Sequence, residues 1–473
     1  MNLQITTHIH TSKVRWLYSL LAIFFAFFTY GQSEELSFLF VGDVMQHDGQ
    51  IEAARNKAEG RSDDYEYDDG FKFIKPIVQE YDIRIANLEV TLAGKPFKGY
   101  PQFSAPDQLA ETLKNTGFNI ILTSNNHSCD RGSKGVLRTL NKLDELGLRH
   151  TGTFRSKEER DVNYPLMINE NGMKIAILNY TYGTNGLKVS KPLIINYIDS
   201  AVIRKDVARA KELNADYIIC NMHWGKEYRA TPDKYQQRFE LFCYDVGVDM
   251  VIGGHPHTVQ PVVKNERNGV EQLTVWSLGN FVSNMRTRPT RGGMTVGATI
   301  KRIDNKIELG AVDYRLIYTL KKNEGAVTQY YILPDFDYNK HQPGFLNAED
   351  SERMNDFFSD SRTLFLEHNK GADEKIISEN SEIGNIYKKY LTSYYSVLIP
   401  EAKKELLSNK YIGSYLHTTV DKHGEKYILF GVLDSIEKAK GDSKFIEFCE
   451  LTEATEIVLV KGGTVTVVEK VSK

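Results

Sequence analysis

Apolar positions along the chain fall into short runs separated by stretches with helical spacing. Leu36–Val41, Ile83–Leu88, Asn119–Thr123, Lys174–Tyr180, Tyr217–Met222 and Met250–Ile252 are too short for helices and predict buried strands. Between them, Gly70–Tyr81 carries Phe71, Ile74, Ile77 and Val78 at helical intervals, and Pro106–Gly117, Lys134–Gly147, Asp199–Leu213 and Pro232–Gly247 are spaced alike. Gly117, Gly147 and Gly247 stand where helix C-termini favour glycine. This alternation continues to about Gly254 and predicts a mainly parallel sheet with helices on its faces. Beyond it, Leu273–Leu278, Met294–Ile300 and Ile307–Leu316 are strand-like with no helix between them. They predict antiparallel strands closing a second sheet.

Asp, Asn, Pro and Gly cluster from Pro334 to Gly344 and mark a boundary. The pattern divides the chain into an N-terminal segment (1–32), a main domain (34–335), a helical region (345–409) and a small β module (410–473). Strands of that module are expected at Tyr411–Thr419, Tyr427–Leu433, Phe445–Leu451, Ile457–Val460 and Thr464–Val468, with Gly462-Gly463 as a hairpin turn. The module shows no chemistry and reads as structural support or an interaction surface.

Lys13 and Arg15 precede the apolar run Trp16–Tyr30, which gives way to Gly31, Gln32 and Ser33. A basic flank, an apolar stretch and small or polar residues describe a secretory signal peptide. The run is shorter than the roughly 20 residues that span a bilayer; left uncleaved, it would act as an anchor. The expected location is therefore the periplasm or cell envelope. A net charge of −3 argues against a general nucleic-acid binder, so a substrate anion must meet local cations or a metal. Cys129, Cys220, Cys243 and Cys449 are widely spaced with no CxxC pair, which predicts buried free thiols rather than a disulfide framework.

The chemistry sits at strand ends. Asp43 follows Gly42 at the end of the first run, Glu89 follows Asn87-Leu88, and Asn125-Asn126-His127 follows the third run. His223-Trp224-Gly225 closes another, and His255-Pro256-His257 follows Gly253-Gly254. Singly, each has a structural alternative: a helix cap for Asp43, a loop carboxylate for Glu89, a polar turn for the asparagines, a satisfied core imidazole for His223. Jointly they occupy one topological position, the carboxyl ends of strands, where open α/β folds assemble ligand sites. Carboxylate, amide and imidazole donors suit a divalent metal such as Mn, Fe or Zn. His127 is placed to donate a proton, with Asp130 as its orienting partner or, alternatively, as the cap of the next helix. Arg286, Arg288 and Arg291 read either as contacts for an anionic substrate or as an exposed basic loop.

The segments Gly42-Asp43-Val44-Met45, Asn87-Leu88-Glu89, Asn125-Asn126-His127 with Asp130 and Gly132, His223-Trp224-Gly225 with Glu227, Gly254-His255-Pro256-His257 with Gln260, and Ser277-Leu278-Gly279-Asn280-Phe281 resemble the CapA family of capsule or poly-γ-glutamate biosynthesis proteins. That family is similar in fold to calcineurin-like metallophosphatases. The resemblance covers roughly residues 36–320. It implies an α/β fold: a metallophosphatase-like two-sheet sandwich flanked by helices, followed by a C-terminal helical and small all-β region. It implies that Asp43, Glu89 and His257 hold one metal and that Glu89, Asn126, His223 and His255 hold the other. His127 would then protonate a leaving group. Met45 stands where the wider pattern has a histidine ligand, and Glu89 replaces its bridging aspartate, so one or two ions are expected. His47 or Asp48 would be the substitutes, at unmatched spacing.

The expected function is that of an exported metal-dependent hydrolase of capsule or poly-γ-glutamate biosynthesis, using a metal-bound hydroxide. Its partners would be an anionic polymer or a phosphorylated small-molecule substrate, within a membrane biosynthesis or export complex. The alternative is a non-catalytic assembly or export factor that keeps the fold. A third reading is a binding module built on the C-terminal β region.

Overall fold

The computed structural model describes residues 35–57, 65–267, 269–304, 306–324 and 327–391 and, as backbone alone, five strands between 393 and 470. The N-terminal apolar segment lies outside the described residues. So do the strand expected at 445–451 and the turn at 462–463. No described helix is long and apolar enough to cross a membrane.

Strands β1 (Glu35–Val44), β2 (Ile83–Leu88), β3 (Ile120–Leu122) and β4 (Arg149–Thr151) lie side by side and parallel. A short pair, β5 (Thr153–Phe154) with β8 (Ile194–Ile195), brackets the start of a second sheet. That sheet begins with the antiparallel β6 (Leu166–Glu170) and β7 (Met173–Thr181). It continues with β9 (Tyr217–His223) and β10 (Met250–Gly254), parallel to β7, and ends in the antiparallel pair β11 (Val262–Arg267) and β12 (Val270–Val275). The chain then returns to the first sheet. β13 (Asn280–Val282) pairs with the end of β1, and β14 (Gly292–Ile303), β15 (Lys306–Glu324) and β16 (Val327–Pro334) extend the sheet beyond β1.

The two sheets pack face to face. Phe40, Ile85 and Leu122 from the first and Asn179, Asn221 and Ile252 from the second line one small cavity between them. Alternate residues of β7 point the other way: Ala176, Leu178 and Tyr180 join Ile203 and Val207 of the helix Ser200–Glu212 and Phe239 and Cys243 of the helix Lys234–Val246 in one buried cluster. Apolar residues on both faces of a strand are what a parallel sheet between layers demands. The chain is thus mixed α/β, a two-sheet sandwich flanked by helices.

Three expectations need correction. Gly70–Tyr81 is not one helix but two single turns, Asp68–Phe71 and Lys75–Val78; Pro76 has no N–H to continue the first. The late strands do not close a second sheet among themselves: β12 joins β10 in parallel, whereas β14 joins the first sheet antiparallel to β1 and β15 pairs antiparallel to β14. And the βαβ run, which periodicity alone reads as one sheet, builds two mainly parallel ones, as the resemblance implies. By contrast, Gly117 and Gly247 cap their helices with φ of 118° and 103°. Cys129, Cys220 and Cys243 are buried and unpaired; Cys449 lies outside the described residues.

Contacts divide the chain into two units. Residues 1–332 with 357–375 hold the two sheets; residues 333–356 with 376–473 form the other. In the second unit the rings of Phe336, Tyr338 and Tyr387 pack together, and Phe345 stacks on Tyr338. Five antiparallel strands follow in the order β19-β20-β18-β21-β22, where β17 is Asp373–Glu374 of the first unit and β18 to β22 are Ser393–Pro400, Thr418–Lys422, Glu425–Leu433, Glu456–Lys461 and Thr464–Lys470. β18 falls where the sequence read as helix-rich. Its Tyr394-Tyr395-Ser396-Val397 run favours a strand.

Asp249, just before β10, accepts a hydrogen bond from the Ile218 backbone N–H at 2.8 Å and ties β10 to β9. Burial pushes its carboxyl up to about 6, against the opposing pull of that N–H and of Lys211. A carboxyl raised above its unfolded value near 3.9 favours the folded state most below that value, and the benefit is lost as pH rises through about 6. From pH 4 to pH 7 this group alone is expected to cost at most about 3 kcal/mol. Thermal melts across that range are expected to show a shallower pH dependence in Asp249→Asn than in the wild type.

Candidate metal centre

Parallel pairing fixes where the polar strand ends meet. Asp43 lies opposite Asn87 in the β1–β2 register, and Glu89 follows β2 directly. Asn125, Asn126 and His127 follow β3. His223 ends β9 opposite Gly254, which ends β10 and leads into His255-Pro256-His257. The six predicted ligands therefore come from the carboxyl ends of two facing sheets, not from the crevice of one. Asp43, Glu89, Asn126, His127, Asp130, His223, His255 and His257 are each no more than 5% exposed. Charged and imidazole groups that deep require partners or a cation.

Donor atoms form two overlapping triads, Asp43–Glu89–His223 and Glu89–His255–His257, each with all atoms within 4.8 Å of one another. Glu89 is common to both. His257 Nδ1 lies 3.3 Å from Asp43 Oδ2, and His223 Nε2 lies 3.4 Å from Glu89 Oε1. Asn126 Oδ1 is 2.7 Å from His223 Nε2, which brings the amide to the cluster. Close approach of the loops is purchased by backbone geometry. A Cβ on Gly254 would meet Asp43 Oδ1 at 2.9 Å. His255 and His257 adopt φ of 95° and 56°, a region that non-glycine residues enter at a cost and mostly at functional sites.

Glu89 gives the test of whether a metal fits. Both of its oxygens are buried and, among the described residues, neither has a hydrogen-bond partner; His255 Nδ1 is bare as well. A fully buried carboxylate with four lone-pair sites unused is far from satisfied. Oxygen and imidazole donors converging on it are what a divalent cation takes. The residues fit the group.

The electrostatics follow from the crowding. Burial alone would raise the Asp43 carboxyl, but His257, His223 and the Asn87 amide hold it well below the usual carboxylate range. Burial would lower His257, yet the Glu89 and Asp43 carboxylates push it up to about 9. His255, buried beside two other imidazoles, is driven well below its ordinary value and stays neutral, its lone pair free.

His127 and Asp130 form a separate pair at the same site, Nδ1 to Oδ2 at 2.7 Å. Burial opposes protonation of this imidazole, but the Asp130 hydrogen bond and the Glu89 charge raise it overall. Asp130 is in turn fixed by the Phe103 backbone N–H at 2.8 Å, and the Phe103 ring stands edge-on to His127 at 4.7 Å. With Nδ1 engaged, Nε2 is the edge of His127 left for chemistry.

Other candidates are engaged elsewhere. His47 Nδ1 accepts from the Asn284 N–H, and Asp48 accepts from the Gly99 N–H, so neither belongs to the triads. Met45 is buried at 3% exposure. Arg288 pairs with Asp360, Arg286 bonds the Ser283 and Thr319 carbonyls, and Arg291 bonds the Arg286 carbonyl. The basic run is structural. Two residues escaped the sequence reading although both lie in the segments that marked the site. Asn87 donates to Asp43 Oδ1 at 2.8 Å, and Asn280 Oδ1 faces His257 Nδ1 at 3.0 Å. Outer partners of this kind orient ligands, and only the strand register reveals them.

The sequence profile of the bacterial capsule synthesis protein family PGA_cap matches residues 37–285. The chain is similar to the capsule biosynthesis protein CapA of Bacillus anthracis, at 26% identity over 262 residues, covering 53% of this chain and 60% of that protein. It is similar to the PGA biosynthesis protein CapA of Bacillus subtilis, at 27% over 278 residues, covering 56% and 68%. The match thus leaves some two fifths of the Bacillus anthracis relative unspanned. Among solved structures, the Haemophilus influenzae NAD nucleotidase gives a TM-score of 0.38 at 12% identity, covering 79% of this chain and 65% of that one. The calcineurin-like phosphoesterase YfkN of Bacillus subtilis gives 0.36 at 13%, covering 70% and 98%.

Proposed function

The chain belongs to the PGA_cap family of bacterial capsule synthesis proteins, and from that premise we propose that it is a metal-dependent phosphoesterase-type hydrolase. It acts in the cell envelope on a phosphate ester, carried by a phosphorylated precursor of an anionic polymer such as poly-γ-glutamate or by a phosphorylated polymer. The observation that carries this reading is Glu89, a buried carboxylate with both oxygens bare among histidines. Asp43, Glu89, Asn126, His223, His255 and His257 would hold one or two ions of Mn, Fe or Zn. Such ions supply Lewis-acid activation of water and charge neutralisation on a phosphoryl group. The chain's own contribution is positional. Asn87 and the His255 N–H fix the Asp43 carboxylate, Asn280 fixes His257, and buried walls exclude bulk water. His127, held at Nδ1 by Asp130, delivers a proton from Nε2 to the leaving oxygen.

A second reading, a non-catalytic assembly or export factor, is favoured by one observation, the buried Met45 where the wider pattern has a histidine. One experiment separates them: elemental analysis of the purified protein, paired with a screen of phosphomonoesters and phosphodiesters in added Mn²⁺. The hydrolase reading expects near-stoichiometric metal and turnover that chelation removes. Bound metal without turnover on any ester favours the assembly factor.

A further inference from the structure

We propose that Tyr100, Tyr182 and Tyr228 form a substrate rim around the metal centre and select a sugar ring carried beside the scissile phosphate group. The inference rests on the phosphoesterase reading and narrows its substrate class. These tyrosines are 68%, 41% and 52% exposed, so burial in the core is not what places them. They come from three loops, after β2, β7 and β9; two lie against predicted ligands and the third against the neighbour of His127. The Tyr182 ring lies 4.5 Å from the His255 ring, and the Tyr228 ring 6.4 Å from that of His257. Tyr100 lies 6.4 Å from Phe103, the residue against His127.

Their backbones are tethered to the site as well. The Tyr182 N–H donates to the His223 carbonyl at 3.0 Å, and the Tyr228 N–H to the Pro256 carbonyl at 2.8 Å. Tyr228 sits at φ 65°, which is costly for a bulky side chain and marks a position held for use rather than stability. Rigid aromatic faces at a pocket mouth supply contact area at low entropic cost. They suit a ligand with a flat or puckered ring and offer a flexible polyanion little.

Charge at the mouth points the same way. Glu227 is exposed, and its carboxylate acts on Tyr182, Tyr228 and His257. A carboxylate there repels a carboxylate-rich chain and accepts hydrogen bonds from ring hydroxyls. A neutral, hydroxyl-bearing ring satisfies both the aromatic faces and this acceptor.

The test uses the full-length, Mn²⁺-loaded protein and calorimetric titration with three probes: the non-cleavable phosphonate analogue of glucose 1-phosphate, inorganic phosphate, and the phosphonate analogue of adenosine monophosphate. Tyr182→Ala and Tyr228→Ala are each expected to weaken the sugar phosphonate about five- to tenfold and to leave inorganic phosphate within about twofold. Tyr235→Ala, at an exposed tyrosine packed on Phe239, is expected to change neither. Equal losses for sugar phosphonate and phosphate, or no loss for either, would overturn the rim. A larger loss for the adenosine probe would overturn the choice of a sugar. Failure of the wild type to bind phosphate at all would sink the metal-site reading, and the rim with it.

Discussion

Glu89→Gln is expected to abolish stoichiometric metal binding while leaving the chain folded. Glu89 belongs to both donor triads, so its neutralisation removes a ligand and a negative charge from every ion the site holds. Loss of an outer partner alone typically lowers affinity about 10- to 100-fold; loss of the shared ligand is expected to exceed about 100-fold. The fold survives because neither Glu89 oxygen holds a hydrogen bond whose removal would strand a neighbour. Elemental analysis and Mn²⁺-dependent melting measure both halves. Wild type gains stability with added Mn²⁺, about 2.7 kcal/mol at a hundred times the dissociation constant, and the variant gains none. Undiminished metal in Glu89→Gln would remove Glu89 from the ligand set.

The same centre has a pH signature. In the metal-free protein His257 is raised to about 9, so at pH 7 it carries a proton that a cation must displace. Binding is therefore expected to release a proton and to tighten as pH rises from 7 towards 9. The metal-free fold runs the other way. A histidine raised above its unfolded value contributes stability that is full below about 6.5 and is lost as pH rises through about 9.

What the chain discloses before folding and what it withholds divide along physical lines. Asp43, Glu89, His223 and His255 were legible because a polar residue terminating an apolar run is a local pattern. Gly117 and Gly247 were legible because a left-handed cap is a local need. The two-sheet sandwich came from the family resemblance, but which strand joins which sheet was not legible, because Tyr217–Met222 reads the same whether it joins β3 or β7; pairing is a long-range choice that periodicity does not encode. The return of β14 to β1 was hidden for the same reason. Asn87 and Asn280 were in view as letters, but their roles depend on which face of which strand meets a ligand. The helix forecast over Gly70–Tyr81 failed on a residue in plain sight, Pro76, whose missing N–H outweighs four well-spaced apolar side chains.

The second large effect is expected at His127. With an alkyl leaving group, His127→Ala is expected to lower kcat by about 10²- to 10⁴-fold, the usual worth of positioned proton transfer. With a nitrophenyl leaving group, which departs without a proton, the loss is expected to be small. Metal content is expected to match the wild type, because His127 lies outside both triads. Asp130→Asn tests the orienting bond separately. Asp130 holds Nδ1 at 2.7 Å and helps raise the imidazole against the cost of burial. A general acid is active while protonated, so kcat falls on the alkaline side of its pKa. Without the Asp130 carboxylate that pKa drops, and the falling limb of the profile moves to lower pH. A merely structural role for Asp130 would lower activity evenly at all pH values, and equal losses on both leaving groups in His127→Ala would assign the residue to something other than proton delivery.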